Sequence, residues 1–312
     1  MTLKLKDLTL VPAPFASGHG LCAGCAEPIA VRVVLQALKN PPVVALATGC
    51  LEVASTRFPD TAWNVPVIHS AFENSATTIS GVEAAYKALV RKGRIEERPI
   101  TFVVFGGDGA TYDIGFQWLS GALERGHKFV YVCLNNEGYM NTGIQRSSAT
   151  LLGAWTTTTP AGEIRHGKTQ WRKDLTAIIA AHGIPYVAQA AVHSWKDLMA
   201  KVRKAEAADG PAFLNVLSPC DRGWRFDTDQ TMNVSRLMTE SGLWPLYEVE
   251  HGQWKAPVLE RNRIPVREAL EAQGRFAHLL RNGNEQVIEE IQRRVDEHIA
   301  SIARACEVSA RV

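Results

Sequence analysis

The amino-acid sequence predicts an α/β protein built on a doubly wound, mainly parallel sheet, followed by a C-terminal extension. Two observations carry this expectation. Short apolar runs alternate with longer segments of helical spacing, which is the pattern of repeated strand–helix–strand units. The chain of 312 residues is 46% hydrophobic and 21% charged, a composition ordinary for a globular protein and sufficient for one large domain or two smaller ones.

The elements follow in order. A helix is expected over 28–38, and Asn40-Pro41-Pro42 stops it because the residue before a proline avoids the helical region. Strands are expected at 43–47, 65–68, 100–105, 129–134, 186–190 and 212–216. Helices are expected over 75–91, 115–125, 174–181 and 194–208, with His182-Gly183 and Asp209-Gly210-Pro211 as stops. We divide the chain at residue 222. Residues 1–222 form the α/β unit, and 223–312 form an extension that packs on the core and on partner subunits. Trp224, Trp244 and Trp254 stand there among charged residues, with little periodicity before residue 264. A last helix, about 284–306, places Ile288, Ile291, Val295, Ile299, Ile302 and Cys306 on one stripe.

Charge narrows the function classes. The 34 basic and 32 acidic residues leave a net charge of +2, which offers no electrostatic case for nucleic acid or an anionic membrane. No apolar run is long enough to span a bilayer, and residues 1–14 carry no signal pattern, so a cytoplasmic location is expected. Six cysteines in such a chain favour metal binding or free thiols over disulfides.

The chemistry concentrates at two strand ends. Gly107-Asp108-Gly109 closes the apolar run 100–105, and Asn135-Asn136 closes the run 129–134. Ile114, Trp118, Leu119, Ala122 and Leu123 between them have helical spacing. The unit reads as strand, crossover helix, parallel strand, with both motifs at carboxyl ends, where open α/β sheets bind ligands. Magnesium prefers oxygen ligands and shares them with phosphates. Asp108 offers a carboxylate, Asn136 a side-chain carbonyl, and Gly138 a backbone carbonyl. Gly107 and Gly109 let the backbone approach a diphosphate closely, and the following helix N-terminus adds partial positive charge. The polar, threonine-rich segment 142–170 is long for a plain connection and suits a ligand-covering or partner-facing loop.

The cysteines form a second constellation. Cys22 and Cys25 make a CxxC, Cys50 follows the strand 43–47, and Cys220 follows the strand 212–216. Four thiolates near one sheet edge suit a structural zinc or an iron–sulfur cluster. Spacing does not decide between them. Cys133, inside an apolar strand, reads as core.

Gly-Asp-Gly and Asn-Asn at this spacing resemble the thiamine diphosphate signature of the decarboxylase and oxidoreductase superfamily, and so imply its cofactor-binding fold. The whole chain resembles the beta subunit of a 2-oxoacid:ferredoxin oxidoreductase of the pyruvate and oxalate branch. The matching stretches start at Gly18-His19-Gly20-Leu21-Cys22-Ala23-Gly24-Cys25, Ala47-Thr48-Gly49-Cys50 and Ile68-His69-Ser70-Ala71-Phe72-Glu73-Asn74. They continue through Gly106 to Gly115, Asn135 to Ser147, and Gly242-Leu243-Trp244-Pro245-Leu246-Tyr247.

The resemblance implies thiamine diphosphate with Mg²⁺ on Asp108, Asn136 and Gly138, in a pocket that Gly107, Gly109, Thr48 and Cys50 help to form. It implies a [4Fe–4S] cluster on Cys22, Cys25, Cys50 and Cys220, Glu27 near the cofactor, and Asn141 facing the substrate. It also implies an alpha subunit and other subunits, ferredoxin as electron acceptor, and a small 2-oxoacid substrate. Pyruvate would require coenzyme A, whereas oxalate would give two CO₂ without it. A non-redox decarboxylase subunit with structural zinc is the further alternative. In the family, partner subunits supply the glutamate that activates thiamine and the arginine that binds the substrate carboxylate. Two local departures stand out. Leu151-Leu152 replace an expected proline after Thr150, and Asn135 stands where an acidic residue is usual.

Overall fold

The computed structural model describes residues 13–162, 164, 166–257, 263–281 and 284–311. Most of the N-terminal stretch 1–14 therefore lies outside the described residues.

The strands are β1 (Pro42–Ala47), β2 (Val67–Ser70), β3 (Thr101–Gly107), β4 (Val130–Asn135), β5 (Tyr186–Ala191), β6 (Ala212–Leu217), β7 (Tyr247–Glu250) and β8 (Gln253–Lys255). They form one sheet in the order β2-β1-β3-β4-β6-β5-β7-β8. The first six pair in parallel, while β7 and β8 join antiparallel at the edge. The doubly wound, mainly parallel sheet is as expected. The sequence reading missed β7 and β8, which are short and only alternately buried.

The helices are α1 (Glu27–Ala37), α2 (Cys50–Ser55), α3 (Ser75–Arg91), α4 (Phe116–Glu124), α5 (Leu175–Ala180), α6 (Trp195–Ala207), α7 (Asp221–Trp224), α8 (Thr231–Glu240), α9 (Val266–Glu271) and α10 (Glu285–Ser309). A π-helix, Gly109–Ile114, joins β3 to α4. The helix expected over 115–125 is found as α4, and the turn ahead of it, nearest Asp108, is π-helical. Single π turns occur often at functional sites. The missed helix α8 buries Thr231, Val234, Ser235 and Met238, so its inward face is half polar and its apolar periodicity is weak.

Both faces of the sheet are covered, which explains why its strands read as unbroken apolar runs. Val103 and Phe105 of β3 face one core with Val132, Leu134 and α1 residues such as Val31 and Val34. Phe102 and Val104 face the other, with Tyr131, Cys133, Leu119 and Ile79. Cys133 is fully buried, as a core residue should be. A third cluster gathers Trp224, Trp244, Phe276, Leu279, Ile291 and Ile299 against Leu217. Leu151 is buried in this third cluster, which gives the departure at Leu151-Leu152 a packing role. Among the described residues no helix is long and apolar enough to cross a membrane.

The inward stripe of α10 carries the extension. Ile299→Ala is expected to lower the unfolding free energy by about 2–4 kcal/mol, through lost burial and the cavity left behind. Arg293→Ala, on the same helix's exposed face with its ion pairs in solvent, should leave it near the wild-type value. Urea titrations of the two variants check this contrast.

Candidate cofactor site at the carboxyl ends of the strands

The strand order reverses at β1, with β2 on one side and β3 on the other. Such switch points leave a crevice at the carboxyl ends. A cavity of about 160 Å³ opens there, lined by residues following β1, β3 and β4. Glu27, Thr48, Cys50, Gly107, Gly109, Asn136, Gly138 and Asn141 all line it. Asp108 lies beneath, fully buried. Phe72, Phe105, Leu134, Tyr139 and Met140 supply apolar walls.

Asp108 is set by the end of β3. Its Oδ1 accepts the Asn136 backbone N–H at 3.3 Å, and its Oδ2 accepts the Ser147 hydroxyl at 2.5 Å. Burial nevertheless pushes its pKa up to about 8, against these hydrogen bonds. A carboxyl so placed would be stabilised as an anion by a cation beside it.

Asn136 donates from Nδ2 to Glu27 Oε1 at 3.0 Å. Its own Oδ1 and the Oε2 of Glu27 are buried without a hydrogen-bond partner. Buried acceptors left open in this way mark a place for an ion or ligand. Burial raises Glu27 to about 7, partly offset by the Asn136 hydrogen bond.

The two glycines of Gly-Asp-Gly differ in role. A Cβ on Gly107 would meet no protein atom and would project into open space. A Cβ on Gly109 would overlap the Tyr139 ring, so its small size serves that packing. Tyr139 in turn donates its hydroxyl to Asp113 Oδ2 at 3.1 Å. Asn141 is exposed at the cavity mouth.

The four cysteines come from separate elements. Cys22 and Cys25 precede α1, Cys50 begins α2, and Cys220 caps α7 by accepting the Gly223 N–H at 3.3 Å. Burial raises the thiols of Cys25 and Cys50, and raises Cys220 to about 11. The charge of Glu27 acts on all three, Cys220 and Cys50 act on Cys25, and Cys220 and Cys22 act on Cys50. The thiols therefore share one region beside Glu27. Among the described residues, however, no three His, Cys, Asp or Glu side chains close into a ready-made metal cage.

The sequence reading missed the network behind the Asn-Asn turn. Glu137, at φ +61° and fully buried, pairs with Arg172 at 2.8 Å and Arg275 at 2.7 Å. Arg275 stacks over Trp224, 3.7 Å from its ring centroid, and Trp224 Nε1 donates to the Asn136 carbonyl at 2.7 Å. Asn135 belongs to a second buried network. It donates to the Tyr112 hydroxyl at 2.9 Å, and Asn215 donates to that same hydroxyl at 2.7 Å. The neutral amide suits this set better than a buried carboxylate would. Ser147 lay within a recognised stretch, but its bond to Asp108 has no linear signature. The segment 142–170 supplies Thr142 to the cavity, while its Ser147, Thr150, Leu151, Ala154 and Lys168 are buried.

These features define a thiamine pyrophosphate enzyme: residues 47–216 match the family's C-terminal TPP binding domain. The chain is 49% identical to pyruvate synthase subunit PorB of Methanocaldococcus jannaschii over 284 residues, covering 91% of this chain and 94% of that one. It is 52% identical to the Thermotoga maritima PorB subunit, covering 89% and 88%. It is 40% identical to ketoisovalerate oxidoreductase subunit VorB of Pyrococcus abyssi, covering 94% of both. A solved 2-oxoglutarate:ferredoxin oxidoreductase from Magnetococcus marinus shares the fold, with a TM-score of 0.53 and 22% identity over 75% of this chain and 80% of that one. The chain belongs to the PorB family of 2-oxoacid oxidoreductase subunits.

Breaking the buried network has a defined consequence. Arg275→Met leaves Glu137 short of one partner in a dry site, and about 3–5 kcal/mol of stability should be lost. Equilibrium unfolding in urea measures it, with Arg236→Met, an exposed pair, as the near-neutral control.

Proposed function

We propose that this chain is the thiamine diphosphate-binding beta subunit of a pyruvate:ferredoxin oxidoreductase, acting with partner subunits in the coenzyme A-dependent oxidative decarboxylation of pyruvate. The observation that carries the reading is the open Oδ1 of Asn136 beside the buried carboxylate of Asp108. Together they lack only a cation. Mg²⁺ would be held by Asp108, Asn136 and the Gly138 carbonyl, with the diphosphate over the open space at Gly107. Cys22, Cys25, Cys50 and Cys220 would hold a [4Fe–4S] cluster. When bound, thiamine diphosphate supplies an electron sink for loss of CO₂, and the cluster takes electrons singly toward ferredoxin.

The chain's own residues have separable tasks. Glu27 lines the cavity beside Cys50 and, raised to about 7 by burial, can hold a proton on its open Oε2 near neutrality. Asn141 at the mouth presents an amide to the substrate. The apolar walls exclude water, which favours transfer of electrons over stray protonation. Residues 1–222 carry the cofactors, and 223–312 pack on this core and on partner subunits. A cytoplasmic setting fits ferredoxin and coenzyme A as reaction partners.

The relatives' names favour pyruvate, and neither the oxalate nor the zinc alternative draws support from them. The VorB relative makes a branched 2-oxoacid the second reading. A substrate panel on the native complex, with and without coenzyme A, separates these: pyruvate turnover that requires coenzyme A is expected, and coenzyme A-independent oxalate oxidation would overturn the assignment.

Protein purified without oxygen should be brown, with about four irons per chain. Colourless protein containing zinc would support the decarboxylase reading. Ser147→Ala, which removes a hydrogen bond to Asp108, should weaken Mg²⁺-dependent thiamine diphosphate binding by roughly 10–100-fold, measured by calorimetry on the complex.

A further inference from the structure

The cavity mouth carries a chain of polar contacts that the proposed function leaves unused. Thr48, just past β1, lines the cavity. Its Oγ1 lies 2.9 Å from Nε2 of His69 on β2. Nδ1 of His69 lies 3.5 Å from Oε1 of Glu52 on α2. Glu52 is nearly buried, and that same Oε1 accepts the Thr56 hydroxyl at 2.7 Å.

The backbone sets this alignment. Leu46 of β1 is in register with His69 of β2, so the imidazole stands beside the end of β1. Leu46 is also in register with Phe105 of β3. Two residues further on, Thr48 stands past the carboxyl end of β1, in the cavity wall.

Polarity follows from the partners. The negative carboxylate of Glu52 facing Nδ1 favours the tautomer with its proton there, and Nε2 then presents its lone pair. Thr48 then donates its one proton to His69. Its alternative acceptor, the Ser70 carbonyl, is further away at 3.4 Å. With that proton committed, the Thr48 oxygen faces the cavity as an acceptor. Without His69 only the longer contact to the Ser70 carbonyl holds that proton, and the acceptor is less firmly fixed.

We propose that Glu52 and His69 are positioning residues that hold Thr48 as a one-way hydrogen-bond acceptor toward the thiamine cofactor. The donor it would take is an amine N–H, and thiamine carries one on its aminopyrimidine ring. This inference rests on reading the cavity as a thiamine diphosphate site.

The test uses the assembled complex with Mg²⁺ and reads the Kd of thiamine diphosphate by tryptophan fluorescence, beside kcat and KM for pyruvate. Thr48→Val should raise the Kd roughly fivefold to tenfold, and Thr48→Ser should stay near wild type. His69→Ala should raise the Kd toward the Thr48→Val value, with His69→Gln recovering part of the loss. Because His69 works through Thr48, adding His69→Ala to Thr48→Val should cost nothing more. Additive losses in the double variant, or an unchanged Kd in His69→Ala, overturn the proposal. A wild-type complex that fails to bind thiamine diphosphate overturns the cavity assignment and this inference with it. One that binds the cofactor but leaves pyruvate unreacted overturns the substrate alone.

Discussion

Glu137 is fully buried, sits at positive φ, and meets two arginines from distant parts of the chain. A carboxylate cannot stay ionised in such a place unless it is paired and hydrogen-bonded. Arg172 and Arg275 provide this, and Arg275 is itself buried against Trp224. The same Trp224 binds the carbonyl of Asn136. The turn that aims Asn136 into the cavity is therefore clamped from behind by the segment after residue 222. A non-glycine residue at positive φ is normally strained, and the surrounding bonds hold it there.

On the cavity side of that turn the balance is reversed. Asp108, Glu27 and three of the cysteine thiols are acidic groups in a dry environment, and burial raises every one of them. Positive charge for the arginine clamp comes from the protein. Among the described residues, the lining of the cavity includes no arginine or lysine. Perturbed acids gathered in one cleft are a mark of function. The paired carboxylate behind Asn136 and the unpaired acids in front of it are two halves of one electrostatic arrangement.

Much of the fold could be read in the linear chain because both faces of the sheet are covered. Runs such as 101–106 and Val130–Asn135 are buried along their whole length, so their apolar character is continuous and easily seen. Alternately buried β7 and half-polar α8 left no comparable trace. The same distinction holds in the site. Asp108 and Asn136 could be seen because each sits at the end of an apolar strand. Ser147, Glu52 and Arg275 could not, because what matters about them is a partner far away in sequence.

By itself, then, the sequence determined the parallel α/β architecture, the two strand ends that face the cavity, and the four cysteines that accompany them. These are local matters of apolar period and of residue types at strand termini. Tertiary structure alone decided which groups are satisfied and which are left open. It paired Glu137 with Arg275, gave Ser147 to Asp108, set His69 against Thr48, and left Asn136 Oδ1 without a partner. The reason is that hydrogen-bond and ion-pair satisfaction depends on three-dimensional neighbours and on exclusion of water, and neither is written in residue order.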